Sequence, residues 1–159
     1  MIVKNLFGGI LLLAGFVCVS CTSDSGGPKA ADDPELHSRG SVEVTARLEE
    51  IPDGAIFKRE LYNYATVLKY QILQVHRGRL DAQSIYVAHY NPFKPRSEAA
   101  DQFVTGIGGN LKEFRAGQVH RMAMEDSMDD HYMGGVVNKY FGQQTGAIYW
   151  AVWTDPASE

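Results

Sequence analysis

The sequence predicts a mainly β fold, a five-stranded barrel with one short helix, preceded by a signal peptide and a flexible tether. Three features predict it: an apolar leader, a polar stretch after the leader, and five segments with the alternation of strands. The 159 residues are 45% hydrophobic and 21% charged, which fits one globular domain, placed at 41–155. The formal net charge of -4 argues against a nucleic-acid partner, because such proteins carry a basic excess.

The first 20 residues have the pattern of a secretory signal peptide. Lys4 is their one charged residue, and an uncharged run from Leu6 to Val19 follows it. A helix of the roughly 14 residues in this uncharged run would span about 21 Å, which is less than the roughly 30 Å of membrane hydrocarbon. We therefore expect residues 1–20 to be removed on export rather than to remain as a membrane span.

Both cysteines of the chain, Cys18 and Cys21, lie at the end of this leader. The run Cys18-Val19-Ser20-Cys21 resembles the lipobox of bacterial lipoproteins, although Cys18 stands where that family usually has leucine. The resemblance implies that Cys21 is acylated and holds the chain on a membrane, outside the cytoplasm. Thr22 after it implies the outer membrane or cell surface in a two-membrane cell. A plain signal peptide that leaves Cys21 as a free thiol is the alternative.

Residues 21–40 are predicted to form a flexible tether. The segment is rich in Ser, Gly, Pro and Asp, and Leu36 is its one large apolar residue, so it has little surface to bury. Loss of Lys4 with the leader would leave 14 basic and 19 acidic residues, a formal charge of -5. Attraction to anionic lipids cannot then supply the anchor, whereas acyl chains can.

Five strands are predicted from alternation of apolar and polar residues, at 41–49, 61–75, 83–90, 118–125 and 147–154. In the long second strand, Tyr64 and Tyr70 share the face expected to point into the core. Leu73 and Val75 fall on the opposite face, which indicates a bulge. In the fifth strand, Trp150 and Trp153 are predicted on opposite faces.

The connections complete the predicted barrel. Residues 97–114 are expected to hold a short helix and a loop, with glycines at 106–110 forming a turn, and residues 126–146 a long connection. A helix between the third and fourth of five strands is the order of an OB-type barrel. The run 67–90, VLKYQILQVHRGRLDAQSIYVAHY, resembles the hairpin of netrin-like OB domains of metalloprotease inhibitors and matrix proteins. The resemblance implies the fold and not inhibition.

Aromatic and polar residues cluster around this hairpin. OB barrels commonly bind oligomers across their second and third strands, and aromatic rings beside hydrogen-bonding groups suit carbohydrate or peptide ligands. If Ile85 and Val87 point inward, Tyr86 and Tyr90 should be exposed. The candidate ligand-binding residues are Tyr86, Tyr90, His89, Lys69, Arg77 and Arg79. The alternative is that most of these tyrosines pack the barrel ends.

The sequence therefore predicts a non-catalytic binding or assembly module for an envelope polysaccharide, peptide or protein. It contains no nucleotide-binding or haem motif, so no cofactor is expected. An enzyme or accessory subunit of surface-polysaccharide modification, using His89 or His120 with a carboxylate, is a second possibility. A metal-binding envelope protein is a third, with candidate ligands at His76, His89, His120, His131, Glu125, Asp126, Asp129 and Asp130.

Overall fold

The computed structural model describes residues 34–56 and 63–158. The predicted signal peptide, the predicted lipidation residue Cys21 and the first part of the predicted tether lie outside the described residues. Among the residues described, no helix has the length and apolar character that crossing a membrane requires.

Strands of one sheet close into a five-stranded barrel. Among the described residues the sheet consists of β1 (Val42–Glu50), β2 (Tyr64–Arg77), β3 (Ser84–Tyr90), β4 (Val119–Glu125), β5 (Gly135–Val137) and β6 (Ile148–Pro156), and all of these except β5 form the barrel. Around the barrel the order is β1, β2, β3, β6, β4 and back to β1. The pairs are antiparallel except for β3 and β6, which run parallel. This closed barrel confirms the predicted fold class. The ends of its five strands match the predicted ends within two residues, except for the start of β2, which differs by three.

The alternation predicted for the first two strands is confirmed. Val44 and Leu48 of β1 and Tyr70 of β2 are fully buried inside the barrel. The register between β1 and β2 shifts in three places, two of which leave Leu73 and His76 of β2 unpaired. These irregularities are the predicted bulges, and they increase the twist that a long strand needs to contribute to both sides of a small barrel.

The short strand β5 lies in the connection predicted to contain no strand. It pairs in parallel with the start of β2, from Tyr64 to Thr66, where β2 has not yet reached β1. Three residues that begin with a glycine carry too little alternation to be distinguished from a loop.

A bulge in β6 overturns one prediction about its tryptophans. Between the pairs formed by Ala123 and Met124 of β4, the register shifts and leaves Val152 of β6 unpaired. This extra residue reverses the alternation, so Trp150 and Trp153 both lie on the outer side of the barrel, in separate clusters. The prediction of opposite faces is wrong because it assumed an unbroken period of two.

Part of the predicted tether is packed against the barrel. Residues Pro34–Ser38 form the helix α1, and Leu36 is buried against Trp153 of β6. His37 adds a contact of 3.0 Å between its Nε2 and Asp155 Oδ2. The packed domain therefore begins at about Pro34 rather than at 41, because one apolar residue at the correct spacing finds a complementary surface.

The segment between β3 and β4 contains no α-helix, contrary to the prediction. A single 3-10 turn at Arg96–Glu98 is followed by extended chain. At 106–111 this chain pairs with β6: Gly108 N–H donates to Val152 O and Thr154 N–H donates back to Gly108 O. The glycines here form a close backbone contact rather than the free turn expected.

The buried side chain of Arg96 takes part in closing the barrel where a helix was predicted. Its guanidinium donates to the backbone carbonyls of Tyr90 (2.8 Å), Asn91 (2.6 Å) and Lys94 (3.2 Å). It also lies over the Phe114 ring, 5.2 Å from the centroid. Burial lowers the pKa of Arg96 to about 10, so the group remains a cation at neutral pH.

A second hydrophobic cluster lies outside the barrel wall. Outward-facing residues of β2, β3 and β6, among them Val67, Ala88 and Trp150, are covered by the loops that carry Ile107 and Tyr140. OB barrels commonly bind ligands on the face of the second and third strands. In this protein the chain's own loops cover much of that face.

Candidate functional site

The six predicted ligand-binding residues do not form one surface. His89 points into the barrel and is fully buried. Tyr86 and Tyr90 point outward as predicted, but Tyr90 is fully buried and Tyr86 is half-buried against Tyr140. The prediction of an exposed tyrosine pair is therefore wrong, because loops cover the outer face of β3. Lys69 lies directly opposite Tyr86 on the neighbouring strand, so these two predicted residues are neighbours.

The three basic residues of the predicted set each contact an acidic side chain. Lys69 Nζ lies 2.8 Å from Glu49 Oε2, and the hydrogen bond and charge of Glu49 raise the pKa of Lys69. Arg77 Nη2 lies 3.5 Å from Glu43 Oε2. Arg79 pairs with an exposed acid two residues later. These three basic groups therefore lie at separate places along the β2–β3 hairpin.

Two fully buried histidines, His89 and His120, lie on either side of the Tyr70 hydroxyl inside the barrel. Tyr70 Oη lies 3.1 Å from His89 Nε2 and 3.4 Å from His120 Nδ1, and the Phe114 ring packs against both imidazoles. Burial lowers the pKa of His89 well below its usual value, helped by the charge of Arg96, and lowers the pKa of His120 to about 4. Both imidazoles are therefore neutral at pH 7. Among the described residues, their hydrogen-bond partners include no carboxylate.

The concave surface of interest lies elsewhere, between the loops on the outer side of the barrel. Two adjoining pockets, of about 340 and about 290 Å³, share Phe103, Val104 and His131 among their lining residues. Phe103 is 66% exposed, and Met133, which lines the larger pocket, is 91% exposed. Large apolar side chains at this exposure around a concavity are a feature of binding surfaces.

Aromatic rings form one side of the pockets. Tyr132 stacks on Trp150, with ring centroids 5.3 Å apart and planes at 17°, and Tyr90 meets Tyr132 edge-on at 5.4 Å. The Tyr132 hydroxyl donates a hydrogen bond of 2.6 Å to the backbone carbonyl of Asn63. These contacts hold the rings in fixed positions, so a ligand that packs on them orders few side chains.

The loop that carries Phe103 is fixed by Asp101. The backbone N–H groups of Phe103 and Val104 donate to Asp101 Oδ1 at 2.9 and 3.1 Å, and the Tyr90 hydroxyl donates to Oδ2 at 3.0 Å. Burial alone would raise the pKa of Asp101, but these donors and the Asn91 amide lower it below its usual value. The carboxylate is thus ionised at neutral pH and holds the loop against β3.

The predicted metal ligands do not converge. Among the described residues, no group of three or more His, Cys, Asp or Glu side chains is arranged to hold a metal ion. His76 lies on β2, with Nε2 2.8 Å from Thr45 Oγ1, and His131 lies at the pockets. The larger pocket offers an aromatic and apolar surface, suited to stacking on a sugar ring or holding an apolar side chain, whereas the smaller pocket is also lined by the charged residues Arg39 and Glu125.

The sequence interpretation missed the residues that shape the pockets. Phe103 fell within the segment expected to hold a short helix and a loop, and Met133 within the long connection expected at 126–146. Tyr132 and Asp101 carried no motif. An exposed Phe or Met has no signature in one sequence, because its exposure depends on how distant loops pack.

Comparison of the chain with models of known protein families, with curated proteins and with solved structures finds no match. The function is therefore inferred from the residues and geometry described above.

Proposed function

We propose that this chain is a lipid-anchored, extracytoplasmic binding or assembly module, without catalytic activity, for an envelope polysaccharide, peptide or neighbouring envelope protein. Its ligand surface is the pair of pockets beside Phe103 and Met133, rather than the Tyr86 and Tyr90 pair expected from the sequence. The observation that carries the proposal is the exposure of these two side chains, 66% and 91%, next to a fixed aromatic surface.

The anchor part of the proposal rests on the sequence. The apolar leader is followed by Cys18-Val19-Ser20-Cys21, and the two cysteines of the chain are both here. Acyl chains on Cys21 would hold the domain durably, since each buried methylene contributes about 0.8 kcal/mol. The test is Cys21→Ala expressed in the native host, with membrane and soluble fractions compared. Release into the soluble fraction is expected, and unchanged membrane retention would reject the anchor.

The surroundings of the buried histidines favour binding over catalysis. An acid and base mechanism needs a histidine that reaches the substrate and, commonly, a carboxylate that orients it. His89 and His120 are instead enclosed in the barrel, and their described hydrogen-bond partners are Tyr70 and Gln118. Polysaccharide modification is therefore the less favoured alternative. Metal binding is a further alternative, and the binding experiment below tests it.

The ligand surface can be tested by a thermal-shift screen of the full chain. Envelope polysaccharides, peptidoglycan fragments and divalent metals are the probes, because a ligand that binds the folded state raises the melting temperature. The variant Phe103→Ser with Met133→Ser removes the apolar rim. Phe141→Ser is the matched control, since Phe141 is 84% exposed and does not line these two pockets.

A shift with a polysaccharide or peptide that is lost in the double variant and kept in the control supports the proposal. A shift that both variants keep would place the ligand elsewhere and overturn the assigned surface. A shift with metals alone would favour the metal-binding alternative. If no probe gives a shift, crosslinking in intact cells tests for a protein partner. If no crosslink depends on Phe103, the proposed binding or assembly module is rejected.

A further inference from the structure

A buried carboxylate holds two arginines on a different part of the barrel surface. Glu43 points outward from β1 but is only 7% exposed. Arg121 of β4 approaches Glu43 Oε1 with its Nε at 2.8 Å and its Nη2 at 2.6 Å. Arg77 of β2 approaches the other oxygen, with Nη2 at 3.5 Å. One carboxylate thus positions guanidinium groups from the strands on both sides of β1.

This arrangement leaves hydrogen-bond donors of both guanidinium groups unused at the surface. Two guanidinium groups share one carboxylate, and their side chains remain 36% exposed for Arg77 and 52% for Arg121. Asp155 of β6 lies opposite Arg121 and adds a second negative charge here, while its oxygens contact His37 Nε2 and accept from the backbone N–H of Asn110. Each guanidinium has five N–H donors, more than Glu43 can accept.

Neutral polar side chains extend the same face. Thr45 lies between Arg121 on β4 and Gln74 on β2, and its hydroxyl contacts His76 Nε2 at 2.8 Å. Gln74 and His76 are exposed. The outer faces of β1, β2 and β4 therefore offer a row of hydrogen-bond donors beside two cations. We name this row, Thr45, Gln74, His76, Arg77 and Arg121, the arginine face.

We propose that the arginine face binds the carboxylate or sulfate groups of a linear acidic polysaccharide. A planar guanidinium donates two parallel hydrogen bonds to such groups. Glu43 holds the Arg121 guanidinium, and Glu43 together with the Arg39 carbonyl, which accepts from Arg77 Nη2 at 2.7 Å, holds that of Arg77, so binding costs little side-chain entropy. The proposed site is separate from the pockets beside Phe103 and Met133 and does not depend on them.

The charge of the whole chain favours a thin polymer over an anionic membrane as the occupant. The formal net charge is -4, so a wide anionic surface would meet acidic as well as basic parts of the protein. Electrostatic interactions are screened beyond about 8 to 10 Å at physiological salt. A linear chain that crosses β1, from Arg121 on β4 to Arg77 on β2, contacts the arginine face without following β1 to Glu49 and Glu50.

The test measures binding of the full chain, in detergent, to fluorescent dextran sulfate and polygalacturonate by anisotropy at low salt. Neutral dextran and vesicles containing phosphatidylglycerol are the comparison probes. Arg77→Gln and Arg121→Gln each leave Glu43 one partner, and each is expected to weaken binding about tenfold. Arg115→Gln is the matched control, because Arg115 is an exposed arginine paired with Glu113 elsewhere on the surface.

Circular dichroism and melting temperature check that each variant is folded. If Arg121→Gln does not fold, Arg121→Lys replaces it, which keeps the charge but loses the planar fork and should weaken binding by a smaller factor. A tenfold loss in both face variants with an unchanged control supports the proposal. An equal loss in Arg115→Gln, absence of binding to both acidic polymers, or arginine-dependent binding to vesicles alone would overturn it. The pocket variants leave these measurements unchanged, so the two proposals fail independently.

Discussion

Acidification from about pH 7 to about pH 5 is expected to destabilise the barrel through His120. The side chain is fully buried, and burial lowers its pKa to about 4, whereas the ordinary value is 6.5. Between these two values the unfolded chain binds a proton that the folded chain does not. The free energy of unfolding therefore falls as the pH falls below 6.5, and the loss is complete near pH 4.

The size of the effect follows from the two pKa values of His120. A pH of 5 lies about 1.5 units below the unfolded value and above the folded value, and each unit is worth about 1.36 kcal/mol. His120 alone should therefore lower the free energy of unfolding by about 2 kcal/mol. His89 acts in the same direction, because burial lowers its pKa well below the usual value. Asp101 titrates below this range, since its pKa is lowered from 3.8.

Urea unfolding followed by tryptophan fluorescence measures the change, since Trp150 and Trp153 are both buried. For a loss of about 2 kcal/mol the midpoint should fall by about 1 M between the two pH values. His120→Gln removes the titrating group, so the free energy of unfolding should fall by about 2 kcal/mol less between pH 7 and pH 5 than in the original protein. His131→Gln, at an exposed histidine, is the matched control for the change of histidine to glutamine. A His120→Gln variant with the same pH dependence as the original protein would refute the reasoning.

Two substitutions test the packing of the outer loops and of the segment along β6. Tyr90→Phe removes a hydroxyl that lies 3.0 Å from both Asp101 Oδ2 and Asn63 Oδ1, so unfolding by urea should show a loss of about 1 to 3 kcal/mol, with a smaller loss for the control Tyr86→Phe. Gly109→Ala would place a Cβ 2.2 Å from Thr154 O, whereas Gly117→Ala, also at positive φ, meets nothing within 4 Å. We expect Gly109→Ala to lower the melting temperature further, and equal melting temperatures would contradict the close packing along β6.

The location of the candidate site differs from the expectation for an OB barrel because the loops fold back onto the barrel. Tyr90 was expected on an exposed face of β3, but Asp101, eleven residues later, returns to accept its hydrogen bond. Tyr132 covers Trp150 in the same way. These loops bury the original strand face and create new concave surface at their own edges, beside Phe103 and Met133.

The fold class could be predicted from the sequence because barrel walls impose a local pattern. A strand with one face in the core alternates apolar and polar residues, as Val42 to Leu48 do, and each strand can be identified without its neighbours. The inward direction of Tyr64 and Tyr70 followed from the same alternation. The apolar leader and its cysteines are also local features, so the membrane anchor can be predicted without knowledge of the fold.

Tertiary structure alone decided which surface is exposed. The bulge at Val152 reverses the direction of the following side chains, α1 buries Leu36, and Glu43 meets an arginine 78 positions later in the chain. Each of these features depends on contacts between segments that are distant in sequence, so no local sequence pattern predicts it. Burial on the inner side of a strand is set by alternation, whereas burial on the outer side depends on which loops return to cover it, and the candidate sites of this protein are all on the outer side.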